Sequence, residues 1–139
     1  MSLSAHDLSI IGASLYLCEG TKSRIDNRGY KQFSVEFTNK DPRAIEIFLD
    51  FLRKVIKVDE DRVKAELFIY PDLDGSKLLK YWSSVTKIPI IRFNKTICLP
   101  QKNGKFRPNP LGTLKIRYGH KEHFLKIQDI IVKVFGKEV

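Results

Sequence analysis

The residues best placed to do chemistry lie in one stretch, Leu15-Tyr16-Leu17-Cys18-Glu19-Gly20-Thr21-Lys22-Ser23-Arg24, where an apolar run meets a carboxylate, a glycine and then basic residues. If the run is a helix ending at Gly20, Glu19 stands at the negative pole of its macrodipole, a placement that costs about 0.3–1 kcal/mol. Glu19 is therefore expected to have a cationic partner, either a basic side chain or a bound metal ion. Other chemistries have less in their favour. His120 and His123 stand three apart, but His6 is distant and no third ligand is near, so they read as the surface start of a helix. Cys18 and Cys98 have neither disulfide-framework nor zinc spacing, and the chain has no glycine-rich phosphate loop or serine elbow.

The elements that must position Glu19 can be read from hydrophobic period. Residues 4–19 form a helix with Leu8, Ile11 and Leu15 on one stripe, and with Gly12, Ala13, Ser14 and Cys18 making a second stripe small enough for another helix to approach closely. Residues 22–39 read as a hairpin turning at Asp26-Asn27-Arg28-Gly29, with Phe33, Val35 and Phe37 on one face and Gln32, Ser34, Glu36 and Thr38 on the other. Asp41 caps a helix that starts at Pro42 and carries Ile45, Phe48, Leu49, Leu52, Val55 and Ile56. A strand follows, alternating Val63, Ala65, Leu67 and Ile69 with Lys64, Glu66, Phe68 and Tyr70. A shorter helix buries Leu78, Leu79, Trp82 and Val85 and stops before Pro89; residues 91–99 read as a strand, and residues 100–110 as a basic loop. The chain closes with a strand over residues 113–118 and a helix that buries Phe124, Ile127, Ile131 and Val134.

The expected order is α-β-β-α-β-α-β-β-α in a single α+β domain spanning residues 1–139, a mostly antiparallel sheet with helices on one face. At 139 residues and 42% hydrophobic composition the chain can bury a proper core. It has no apolar run long enough to span a membrane and no signal-peptide layout, so a cytoplasmic protein without a membrane partner is expected. A formal net charge of +9 makes a polyanion, nucleic acid above all, the expected partner. The uncovered sheet face should be polar and basic, gathering Gln32, Ser34, Lys64, Arg92, Lys115 and Arg117, with Lys22, Arg24 and Arg28 at hairpin tips. Such a ribbon can enter a major groove, although a polar sheet face is also simply a solvated one.

The segment Gly12-Ala13-Ser14-Leu15-Tyr16-Leu17-Cys18-Glu19-Gly20 resembles the LAGLIDADG motif of homing endonucleases, which ends in a small residue, an acid and a glycine. The α-β-β-α-β-β-α core of that family matches most of the chain if residues 74–87 are an added helix, with a curved sheet as its expected form. Thr21-Lys22-Ser23 after the motif and Phe37-Thr38-Asn39 before a capped helix agree with it. The resemblance implies a single-motif homodimer whose motif helices pack through Ile11, Ser14 and Cys18. It further implies that Glu19, with Gly20 beside it, holds Mg²⁺ or Mn²⁺ above the scissile phosphates of double-stranded DNA. Thr38 or Asn39, and Lys115 or Arg117, correspond to the polar and basic residues around such metals. The chain departs from the motif in having Leu17 where the family has an acid, Ser14 where it has a glycine, and Glu for the commoner Asp. A site-specific endonuclease is the activity implied; a DNA-binding regulator of the same fold without cleavage is the alternative, and an RNA-binding relative similar to maturases, using Phe68, Tyr70 and Phe106, is a third.

Overall fold

The computed structural model describes residues 3–20, 24–25, 27–100 and 109–137, and within these the side chains of residues 24, 25, 31 and 32 are left aside. Helix α1 (Ala5–Glu19) opens on a reciprocal cap in which Ser4 Oγ accepts from the Asp7 backbone N–H at 3.1 Å while Asp7 accepts from the Ser4 N–H. It closes at Gly20, which is extended (φ −79°, ψ 155°) instead of left-handed. Glycine is needed there for space: a Cβ would lie 2.3 Å from the Tyr16 ring. The same reasoning corrects the expected small-residue stripe. Gly12 and Ala13 face inward, and a Cβ on Gly12 would lie 2.1 Å from the ring of the fully buried Phe51, so this glycine serves packing within the chain.

Strands β1 (Arg24–Ile25) and β2 (Lys31–Gln32) form a separate antiparallel pair, and Gly29 supplies the positive φ of +83° in the turn between them. Strand β3 (Ser34–Asn39) follows after the single residue Phe33. Asp41 caps α2 (Pro42–Phe51) by accepting from the Arg43 backbone N–H, and the helix runs on as a π-type turn, Leu52–Ile56, ending at Lys57 with φ 62°. Strand β4 (Val63–Ile69), helix α3 (Gly75–Thr86), a short strand β5 (Ile97–Cys98), strand β6 (Thr113–Gly119) and helix α4 (Lys121–Phe135) complete the order.

Among the described residues the main sheet has four strands in the order β3-β6-β4-β5. The β3–β6 and β6–β4 pairs are antiparallel, whereas β5 runs parallel to β4 over two residues, so the sheet is mixed. The expected strand over residues 91–99 is shortened. Pro89 instead starts a 3₁₀ turn, Ile90–Arg92; outside β5, Phe93 bridges to Ala65, and the Asn94 and Leu99 N–H groups donate to the Ala65 and Ile69 carbonyls. All four helices contribute to one core with the inward residues of the sheet, among them Val35, Phe37, Val63, Leu67, Ile116 and Tyr118. Phe37 stacks on Phe48 at 4.3 Å between ring centres, and Trp82 is held by donating its Nε1–H to the Leu111 carbonyl. No helix among the described residues is long and apolar enough to cross a membrane.

Candidate nucleic-acid interface

The end of α1 and the end of β3 meet. The Gly20 N–H closes the helix on the Tyr16 carbonyl, and Gly20 then bridges to Phe37 in β3, so that Glu19 comes against Asn39, the last residue of that strand. Asn39 Nδ2 donates to Glu19 Oε2 at 2.5 Å, and Asn39 Oδ1 accepts from the Asp41 N–H at 2.8 Å, which ties the same amide to the cap of α2. Glu19 is exposed. Among the described residues it is this neutral amide, not a basic side chain, that meets Glu19; Lys22 and the Arg24 side chain, just beyond the helix, lie outside those residues. Thr38 stands next to Asn39 and pairs across the strands with Lys115. Of the residues named for the centre, the structure brings Glu19, Gly20 and Asn39 together, whereas Thr38 lies on the opposite face of β3 with Lys115.

Beyond its polar first turn with His6 and Asp7, the outward surface of α1 is largely apolar. Ile10 and Leu17 are 40% and 42% exposed, Cys18 is exposed, and Ile11, Ser14 and Leu15 are half-buried. The Ser14 hydroxyl donates to the Ile10 carbonyl at 2.7 Å and so satisfies itself within the helix.

The polar sheet face is not the bare basic surface expected. Register sets Glu36 opposite Arg117 and Glu66 opposite Lys115, and both carboxylates are sunk into the face, with residue exposures of 2% and 8%. Lys115 Nζ and Arg117 Nε lie 3.6 and 3.4 Å from Glu36, and Arg117 also reaches Glu66 at 3.5 Å. Asn94 donates to Glu66 at 3.2 Å. Lys64 is exposed beside this network. At one end of the face Ser34, Asp61, Arg62, Lys64, Asn94, Arg117 and Gly119 surround a cavity of about 550 Å³. Arg62, which sequence reasoning passed over, donates to the Gly119 carbonyl and lies above the Tyr118 ring. Nothing in the alternation of β4 marks it, because it precedes the strand.

Arg92 lies elsewhere. With the strand over residues 91–99 replaced by a turn, its guanidinium is turned to Glu60, 3.1 Å away, and to the Glu60 carbonyl, while Arg53 holds the other side of that carboxylate at 2.6 Å. Burial works to raise the Glu60 pKa, but the hydrogen bonds and charges of Arg53 and Arg92 outweigh it and hold the group below its ordinary value. Arg28 sits at the exposed hairpin tip with its guanidinium 5.7 Å from the Tyr30 ring centre. Lys22 and the side chains of Arg24 and Gln32 lie outside the described part, as does most of the basic loop with Phe106. Phe68 is half-buried under Lys115, whose Nζ is 5.5 Å from the ring centre, and Tyr70 is half-buried, which makes neither an open stacking platform.

The two histidines act in the fold. His120 caps α4 by accepting from the His123 N–H, and His123 Nδ1 meets the Tyr118 hydroxyl at 2.7 Å. Burial first, then the nearby His120 and Lys126, push the His123 pKa down. Among the described residues no group of three or more His, Cys, Asp or Glu side chains converges as a metal site. The donor chemistry is consistent with Mg²⁺ only as half a site: one carboxylate from Glu19 and the Gly20 carbonyl, with water and phosphate oxygens or a second copy supplying the rest. No family model, curated protein or solved structure matches the chain.

Proposed function

We propose that the chain pairs with a second copy through the outward face of α1 and cleaves double-stranded DNA as a Mg²⁺- or Mn²⁺-dependent, site-specific endonuclease. One observation carries this reading: an exposed carboxylate, Glu19, is held by Asn39 at the end of a helix whose outward stripe is Ile10, Ser14, Leu17 and Cys18. In a dimer whose two-fold axis runs along that stripe, so that the helices are parallel, the two Glu19 side chains lie at one end of the interface, and each chain contributes what the other lacks. The self-satisfied Ser14 hydroxyl supports burial there, because no polar group would be stranded.

The residues have separable tasks. Asn39 engages one carboxylate oxygen of Glu19 and is itself fixed by the Asp41 N–H, which leaves the other oxygen, with the Gly20 carbonyl, to hold a cation. A bound divalent cation supplies Lewis acidity to the scissile phosphate and to the attacking water. Lys64 and Arg62 attract the phosphate backbone, while Lys115 and Arg117 present donors already anchored to the sheet. Sequencing the ends cut from a library of randomised duplexes tests this reading. Cleavage with Mg²⁺ that EDTA stops is expected, and a library recovered intact refutes it. A binding module without cleavage is the second reading, favoured by the Glu19 carboxylate being already engaged by a neutral amide. It predicts enrichment of a duplex sequence from the same library with no cut ends.

A further inference from the structure

Among the described residues, the paired strands β3, β6 and β4 carry three cations on the polar face, Lys64, Lys115 and Arg117, over two carboxylates, Glu36 and Glu66. A face meant only to attract a polyanion has no use for acids at its centre, and sinking carboxylates so deep is costly unless partners compensate them. Here the compensation is specific. Glu36 takes Lys115 and Arg117 from one side, Glu66 takes Arg117 and the Asn94 amide from the other, and no ion pair joins Lys64 to another described residue. Arg117 is thus gripped by two carboxylates, 3.4 and 3.5 Å away, while its side chain stays 40% exposed.

We infer that Glu36 and Glu66 are positioning residues that restrain the face's general attraction for polyanions: they hold Lys115 and Arg117 as a fixed pair of donors and, among the described residues of the three strands, leave Lys64 as a freely acting cation. The inference rests on the duplex-binding reading for its purpose, but the pairing acts on any polyanion. A salt bridge inside the protein consumes charge that would otherwise displace counterions from a phosphate backbone. Duplex binding then depends on whether the fixed donors meet groups in the right place, which favours discrimination over affinity.

The test compares Glu36→Gln and Glu66→Gln with Glu46→Gln, an exposed site on α2 that removes the same charge away from the sheet face. Each full-length variant is titrated against a random-sequence duplex at 50–200 mM KCl and eluted from heparin. Releasing one cation should steepen the salt slope by about 0.9, so that affinities at 50 and 200 mM diverge about 3.5-fold more than in the parent chain, and heparin elution should move to higher salt. Glu46→Gln should show neither change to that extent. Slopes and elution for the sheet variants that match Glu46→Gln overturn the inference. If a sheet variant does not fold, the cations answer instead: Lys64→Met should flatten the slope by about 0.9 and Lys115→Met should barely alter it, and equal losses overturn the inference. A parent chain that binds heparin but no duplex refutes the duplex reading alone, with the heparin order of the variants still deciding the pairing; one that binds neither overturns both.

Discussion

Gly12→Ala tests the packing account of α1 at one atom. The added Cβ would stand 2.1, 2.3 and 2.5 Å from three ring carbons of Phe51, closer than carbon atoms approach without displacement. Phe51 is fully buried and packs 5.8 Å from the Phe48 ring centre, and Phe48 in turn stacks on Phe37, so the ring has little room to retreat. Overpacking of this kind costs about 1–3 kcal/mol. Alanine's better helix propensity offsets at most about 1 kcal/mol of it. With the full offset the expected net effect is a loss of up to about 2 kcal/mol in urea unfolding at fixed protein concentration, with the slope unchanged. Phe51→Leu should be costly alone, yet the double variant should be more stable than the two single losses predict, because the smaller side chain makes room for the methyl group. If Gly12→Ala stabilises the chain by the helix-propensity gain, or if its losses simply add to those of Phe51→Leu, the close contact is not what selects glycine there.

Two other perturbations address the interface and the ion pairs of Glu60. Ser14→Leu places a bulky side chain on the outward stripe of α1 and should reduce dimerisation in sedimentation equilibrium while leaving circular dichroism unchanged; a dimer of unaltered affinity counts against the paired-helix arrangement. Glu60 is held below its ordinary pKa by Arg53 and Arg92, so its stabilising contribution is complete above the unfolded carboxylate pKa and is lost as pH falls through the lowered folded value. Glu60→Gln should therefore lower the melting temperature at pH 7 and make little difference at the acid end of the titration, and an equal deficit at both ends would contradict that assignment.

Much of this architecture is legible in the sequence because period and capping agree. The stripes of α1, Asp41 with Pro42, and the alternation of β4 and β6 specify elements locally, and the structure places them within a residue or two of expectation. The segment after Pro89 misled because Ile90 and Ile91 look like strand residues by type, whereas in the fold they are exposed, Ile91 at 91%. The small residues of α1 could be counted but not assigned, since only the position of Phe51 separates Gly12 and Ala13 from Ser14 and Cys18. The sheet face shows the same limit. Alternation tells which side Glu36, Glu66, Lys115 and Arg117 occupy, but the β3-β6-β4 register, which no single strand contains, makes carboxylates and cations neighbours. The meeting of Glu19 with Asn39 depends likewise on Gly20 bridging to Phe37, a contact between segments well separated in sequence.

The most direct measurement of the proposed activity is cleavage of a library-selected duplex by the parent chain and by Glu19→Gln, each in Mg²⁺ and with binding followed in parallel. The account predicts that Glu19→Gln binds that duplex within about 2-fold of the parent, since the side chain lies outside the cationic sheet face, and cleaves it at least about 100-fold more slowly. Equal cleavage by the two proteins would contradict it.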